Sequence, residues 1–105
     1  MSQPVLVLTT FPASWDGPAT ARQLVDARLA ACVTVLPQVV SVYRWNDGIA
    51  SEQEQQLVIK TTEARLEALR AWLAANHPYE VPELLVLPVE GGGEAYLAWL
   101  RASVD

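Results

Sequence analysis

Histidine and cysteine each occur once in this chain of 105 residues, as do methionine and phenylalanine. A single cysteine, Cys32, excludes an intramolecular disulfide and any multi-cysteine zinc or iron–sulfur pattern, and it suits a reducing compartment. A single histidine, His77, excludes transition-metal motifs that set two or more histidines at fixed spacing. Basic residues are scarce as well: seven Lys and Arg against twelve Asp and Glu give a net charge of -5. That balance repels phosphate backbones and anionic lipid, so it argues against nucleic acid or a membrane as partner and suits a cation better. Long hydrophobic runs are also missing. Val5-Leu6-Val7-Leu8 has no basic stretch before it and is broken by Thr9 and Thr10, too short for a signal core or a membrane span. The expected location is cytoplasmic, and the run reads as a strand.

Apolar residues, by contrast, make up 51% of the chain. That exceeds what one small domain over residues 1–105 can hide alone, so some should face a partner. The first strand spans about Pro4 to Phe11 and ends in a loop holding Pro12, Gly17 and Pro18. A helix follows in which Ala21, Leu24, Val25, Leu29 and Cys32 recur on one face, which makes Cys32 a packing residue. Val33 to Trp45 and a run ending at Lys60 form a hairpin about Asn46-Asp47-Gly48, with a bend or edge position at Pro37. A second helix is predicted from about Glu63 to Ala75 with Thr62 as its cap, then a strand from Leu84 to Val89. Gly91-Gly92-Gly93 turns the chain into a short last helix carrying Tyr96, Leu97 and Leu100.

The order βαββαβα, with right-handed crossovers, gives an α+β fold of the ferredoxin-like, split βαβ type. Its four-stranded antiparallel sheet carries the two main helices on one face, and a short C-terminal helix follows. Strands in such a sheet should alternate apolar and polar, yet Val5–Leu8, Val39-Val40, Leu57–Ile59 and Leu84–Leu87 are apolar on both faces. Either the last helix crosses the open face or identical subunits cover it, and self-association is the simpler expectation.

The stiffest segment is HPYEVPE, His77 to Glu83, because Pro78 and Pro82 fix their own φ angles and restrict the residues before them. A polyproline-like course puts His77, Glu80 and Glu83 on one side as a cation site. A pleated course groups His77, Tyr79, Val81 and Glu83 instead. The bland alternative has Asn76 cap the second helix, His77 serve its last carbonyls and the prolines stop it. Elsewhere, Lys60-Thr61-Thr62 at a strand-to-helix junction could hold an anion but has no glycine-rich loop before it and reads as a solvated lysine, and the triple glycine reads as a turn rather than a phosphate site. Tyr43 and Trp45 share a strand face suited to stacking on a ligand or, as is more common, to packing across a subunit contact, and the paired carboxylates Glu52 and Glu54 read as exposed hairpin charges.

Taken in order, ARLAACVTVLP (Ala27 to Pro37), SVYRW (Ser41 to Trp45), the Glu54-to-Thr62 stretch ending VIKTT, HPYEVPELLVLPV (His77 to Val89) and YLAWL (Tyr96 to Leu100) resemble the CutA family of divalent-cation tolerance proteins. The resemblance spans nearly the whole chain. It implies a non-enzymatic homotrimer with a part in copper tolerance, no obligatory cofactor, and copper or another divalent cation as ligand. It also implies a cleft between subunits gathering Tyr43, Trp45, Glu54, Lys60, His77 and Tyr79. Members with proposed copper ligands carry a cysteine at the end of the first strand and two histidines before the Pro-Tyr. Thr9 and Asn76 stand in two of those places here, which leaves only His77 and weakens the copper expectation. A likeness in shape to the trimeric PII signalling proteins implies small-molecule sensing as the alternative. A purely structural trimeric scaffold is the third reading.

Overall fold

Two residues with positive φ set the longest feature of the molecule. Asn46 (φ 48°) and Asp47 (φ 64°) are the central pair of a two-residue loop that closes Trp45 onto Gly48. Consecutive left-handed residues make a type I′ turn, whose twist matches that of the strands it joins. In a computed structural model describing residues 2–105, that turn links β2 (Cys32–Trp45) to β3 (Gly48–Thr62). The register slips by one residue between Leu36 and Val39, placing a bulge at Pro37-Gln38, where proline has no N–H to donate.

The remaining strands are β1 (Pro4–Pro12) and β4 (Leu85–Pro88), and the antiparallel sheet runs β2-β3-β1-β4. β1 pairs with β3 only over Glu54–Thr62, so the part of β3 before Glu54 and the matching end of β2 project beyond the sheet as a ribbon. The molecule is accordingly long, 45 × 25 × 23 Å. Helices α1 (Gly17–Asp26) and α2 (Leu66–Asn76) bury Leu24, Leu69 and Leu73 against Val5, Val7, Phe11, Leu57 and Ile59. This is the expected split βαβ architecture. α3 (Glu94–Val104) packs against β1 and β3, where Leu100 and Val104 enclose Ala31, and it leaves Val40, Val42, Leu85 and Leu87 exposed.

Three expectations need correction. The first helix stops at Asp26 rather than carrying its apolar face on to Cys32. Arg28 takes φ 59°, its N–H bonds the Val25 carbonyl, and the Leu29 N–H bonds the Leu24 carbonyl, which together form a Schellman stop. Cys32 therefore opens β2, half-buried, across from Lys60. Thr62 makes no side-chain cap, and a single 3-10 turn over Glu63–Arg65 precedes α2.

The loop between β1 and α1 is held by one buried side chain. Gln55 Nε2 donates to the carbonyls of Pro12, Ala13 (3.0 Å) and Trp15, while Asp16 caps α1 through the Ala19 N–H at 3.0 Å. Gln55 is 5% exposed, and removing it takes this donor from the Ala13 and Trp15 carbonyls, while the Pro12 carbonyl keeps the Trp15 N–H. Gln55→Ala is expected to lower stability by roughly 2–3 kcal/mol, read as a shift in denaturant midpoint at fixed protein concentration.

Candidate functional site

β4 covers β1 only over Val5–Leu8, so the edge of β1 beyond it needs another partner. The chain leaving α2 supplies one. Asn76 Nδ2 donates to the Trp72 carbonyl at 2.8 Å, the His77 N–H closes the last turn on Leu73, and His77 then goes extended (φ -78°, ψ 135°). Its ring stacks on Phe11 with centroids 4.1 Å apart. Nδ1 accepts the Tyr79 N–H at 3.1 Å, so the proton of the neutral ring sits on Nε2, which donates to the Thr10 carbonyl at 2.8 Å. Thr9 Oγ1 lies 3.3 Å from the same Nε2. Burial holds the imidazole below its ordinary 6.5, outweighing the Thr10 carbonyl and the Glu54 charge, both of which pull it upward.

Tyr79 carries the cluster across to β3. Its hydroxyl donates to Glu54 Oε1 at 3.3 Å, and Ser41 donates to Glu54 Oε2 at 3.0 Å. Glu54 is only 7% exposed, so it is not the solvated hairpin charge that its sequence context suggests. Desolvation, followed by the Glu54 charge and hydrogen bond, pushes the Tyr79 phenol up to about 12 and keeps it a neutral donor. Two residues along the same face, Tyr43 donates to Glu52 at 2.8 Å, and that hydrogen bond foremost raises its pKa. The result is a ladder of two carboxylates, each held by a phenol.

Not every expected residue joins it. Trp45 is 64% exposed near the hairpin tip and meets Tyr43 edge-on at 6.3 Å. Lys60 lies six residues along β3 from Glu54, roughly 20 Å away, with Nζ 3.3 Å from Thr34 Oγ1 and 3.8 Å from Cys32 Sγ. The Pro78–Pro82 segment follows neither regular course: His77 and Tyr79 turn inward while Glu80 is exposed and Val81 is 85% exposed. Among the described residues no three His, Cys, Asp or Glu side chains converge as a metal cluster, so His77, Glu80 and Glu83 do not form one. Neither nitrogen of His77 is free for a metal in this arrangement. Sequence reasoning passed over Phe11, Ser41 and Gln55. The one available signal was that Phe11 is the only phenylalanine, at the end of an apolar strand.

The comparisons with known proteins now bear on this geometry. The sequence model of the CutA1 divalent ion tolerance protein matches residues 5–103. The chain belongs to the CutA1 family. The divalent-cation tolerance protein CutA of Pectobacterium atrosepticum is 44% identical over 100 residues, covering 95% of this chain and 91% of that one. The chloroplastic protein CutA of Arabidopsis thaliana is 41% identical over 99 residues, 94% of this chain. This chain spans only 54% of the Arabidopsis protein's length. CutA from Synechococcus elongatus PCC7942 superposes with a TM-score of 0.92 at 42% identity, covering 100% of this chain and 93% of that one. It was also solved complexed with a Bis-Tris molecule, at TM-score 0.87 and 43% identity, covering 98% of this chain and 95% of that one.

CutA relatives are named for divalent-cation tolerance rather than for a reaction. A chloroplastic relative also means that CutA membership alone does not fix a compartment. An open groove of about 530 Å³ lies elsewhere, between α1 and β2 along Val25, Val33 and Val35, with Arg22 and Asp26 at its side.

Proposed function

We propose that the chain acts in divalent-cation tolerance as a non-enzymatic homotrimer that holds a cation, copper among them, at clefts between subunits. The observation that carries this reading is Glu54, a carboxylate 7% exposed whose recorded partners are two neutral hydroxyls. A buried carboxylate without a counter-ion is costly, and a bound cation relieves that cost. Glu52 adds a second carboxylate on the same face, and oxygen donors of this kind suit a hard or borderline divalent ion. One protomer offers too few ligands alone, so a neighbouring copy completes the site. The free edges of β2 and β4 are natural places for that contact. A reducing, cytoplasmic setting fits the single thiol of Cys32.

Calorimetric titration with Cu²⁺ tests this. Glu54→Gln keeps the shape but removes the charge, with one of the two hydroxyls accepting from the new amide NH2 instead of donating, and it is expected to weaken binding about tenfold or more. Glu67→Gln, on the exposed side of α2, is expected to leave the isotherm unchanged. Identical isotherms for native chain and Glu54→Gln would take Glu54 out of the account. The second reading, a small-molecule sensor, is favoured by the Tyr43–Trp45 pair and by the Bis-Tris molecule bound to the Synechococcus relative. It predicts heat from an organic ligand in the absence of metal, lost on Tyr43→Ala.

A further inference from the structure

We propose that the groove between α1 and α2 is a binding site for a small quaternary ammonium compound, held on the indoles of Trp15 and Trp72 and facing the Asp16 carboxylate. The groove has a volume of about 350 Å³, at the small end of ligand sites. Trp15 and Asp16 enter it from the start of α1, Thr20 and Gln23 from the helix itself, and Trp72 from α2. None of these belongs to the Glu54 ladder, so the site is separate from the proposed cation cleft. The Trp15 ring is fixed before any ligand arrives. Phe11 stacks on one face of it at 5.4 Å, and Nε1, its only polar atom, donates to Thr20 Oγ1 at 2.9 Å. Its backbone is tied as well, by its N–H to the Pro12 carbonyl at 2.9 Å and by its carbonyl to Gln55 Nε2. Trp72 packs on the core from the other helix. Both indoles are half-buried, anchored on the core side and leaving ring surface to the groove. Rings held this way lose little freedom on binding.

The charge of the lining selects among ligands. Among the described residues it holds one carboxylate, Asp16, and no Lys, Arg or His, in a chain whose net charge is already -5. A cation is drawn to such a surface and an anion repelled. Indole is the best aromatic partner for a cation, because the face of the ring carries the negative end of its quadrupole. An inorganic divalent ion is poorly matched. It needs several oxygen ligands, whereas Asp16 is the one carboxylate present and its Oδ1 already accepts the Ala19 N–H at 3.0 Å. A primary ammonium brings three N–H donors, and any left unpaired against the indoles costs free energy. A quaternary ammonium has no donor to satisfy, and its methyl groups spread the charge over an apolar surface that rests on the rings. Asp16 then acts through its charge alone, which suits an exposed carboxylate engaged in capping α1.

The experiment is an NMR titration of the isotope-labelled full chain with choline chloride, at constant ionic strength and with a chelator present, following the indole N–H signals of the four tryptophans. The signals of Trp15 and Trp72 are expected to shift together and saturate with a midpoint of about 1–10 mM, while those of Trp45 and Trp99 stay in place. The neutral carbon isostere of choline should bind at least about fivefold more weakly. Asp16→Asn keeps a good N-cap but removes the charge, and it is expected to weaken choline about threefold. Trp72→Leu is expected to weaken it at least about tenfold. Where that variant fails to fold, the comparison of choline with its isostere on the native chain and the response of Asp16→Asn decide. Equal affinity for choline and its isostere overturns the proposal, as does binding unaltered by Asp16→Asn, a shift confined to Trp45 or Trp99, or no saturation in the millimolar range. Metal is excluded from the measurement, so its outcome is separate from that of the copper titration.

Discussion

Phe11→Ala is expected to destabilise the fold by about 3–5 kcal/mol, the range for deleting a fully enclosed aromatic ring. Phe11 is 0% exposed and closes the core at the end of β1 that β4 does not reach. Its ring stacks on Trp15 at 5.4 Å and on His77 at 4.1 Å, so it joins the loop before α1 to the segment after α2. Neither neighbour can collapse into the space, since Trp15 is tied to Thr20 at 2.9 Å and His77 to β1. A cavity therefore persists, and its cost adds to the lost transfer energy. Equilibrium denaturation at fixed protein concentration should show a large fall in midpoint with an unchanged slope. A loss under about 1.5 kcal/mol would mean that the end of β1 is not part of the cooperative core.

Why one part of this organisation was legible in the sequence and another was not follows from the range of each interaction. The hairpin could be read because an Asn-Asp-Gly turn acts on its own neighbours, and the missing N–H of Pro37 points to a bend or an edge position, where the structure has a bulge. The end of α1 could not. Arg28 takes the left-handed conformation that glycine usually marks, and Leu29 and Cys32 continue the apolar period past the true stop. His77 stood out because two prolines stiffen the segment it begins, but its partners Thr10 and Phe11 lie more than sixty residues earlier, joined to it only by the sheet register. The burial of Glu54 is hidden in the sequence for the same reason. A carboxylate in a polar stretch reads as solvated until Tyr79 and Ser41, from two other elements, are seen to cover it. The ordered motif blocks compensated by pointing to the family, which the comparisons bear out over residues 5–103.

The second large effect concerns assembly. Val40 and Val42 are 64% and 66% exposed, two residues apart on one face of the β2 end of the hairpin, opposite Gln53 and Ser51. Neither contributes to the protomer core, so replacing both with aspartate should leave the isolated fold intact. In the proposed trimer a neighbouring subunit covers them, and each new carboxylate would have to lose its water there without a partner, at several kcal/mol apiece. The change also takes the protomer from a net charge of -5 to -7, adding repulsion between copies that are already acidic. Sedimentation of the native chain is expected at about three times the protomer mass of 11.5 kDa, and Val40→Asp with Val42→Asp is expected to run as the protomer with its far-ultraviolet dichroism retained. If the doubly substituted chain stays assembled, the hairpin is not the contact; if the native chain runs as a protomer, the trimer itself is lost. The same variant then decides whether the Glu54 site needs a neighbour. A folded protomer that no longer takes up Cu²⁺, with Glu54, Ser41 and Tyr79 all unaltered, would show that the missing ligands come from the adjoining subunit.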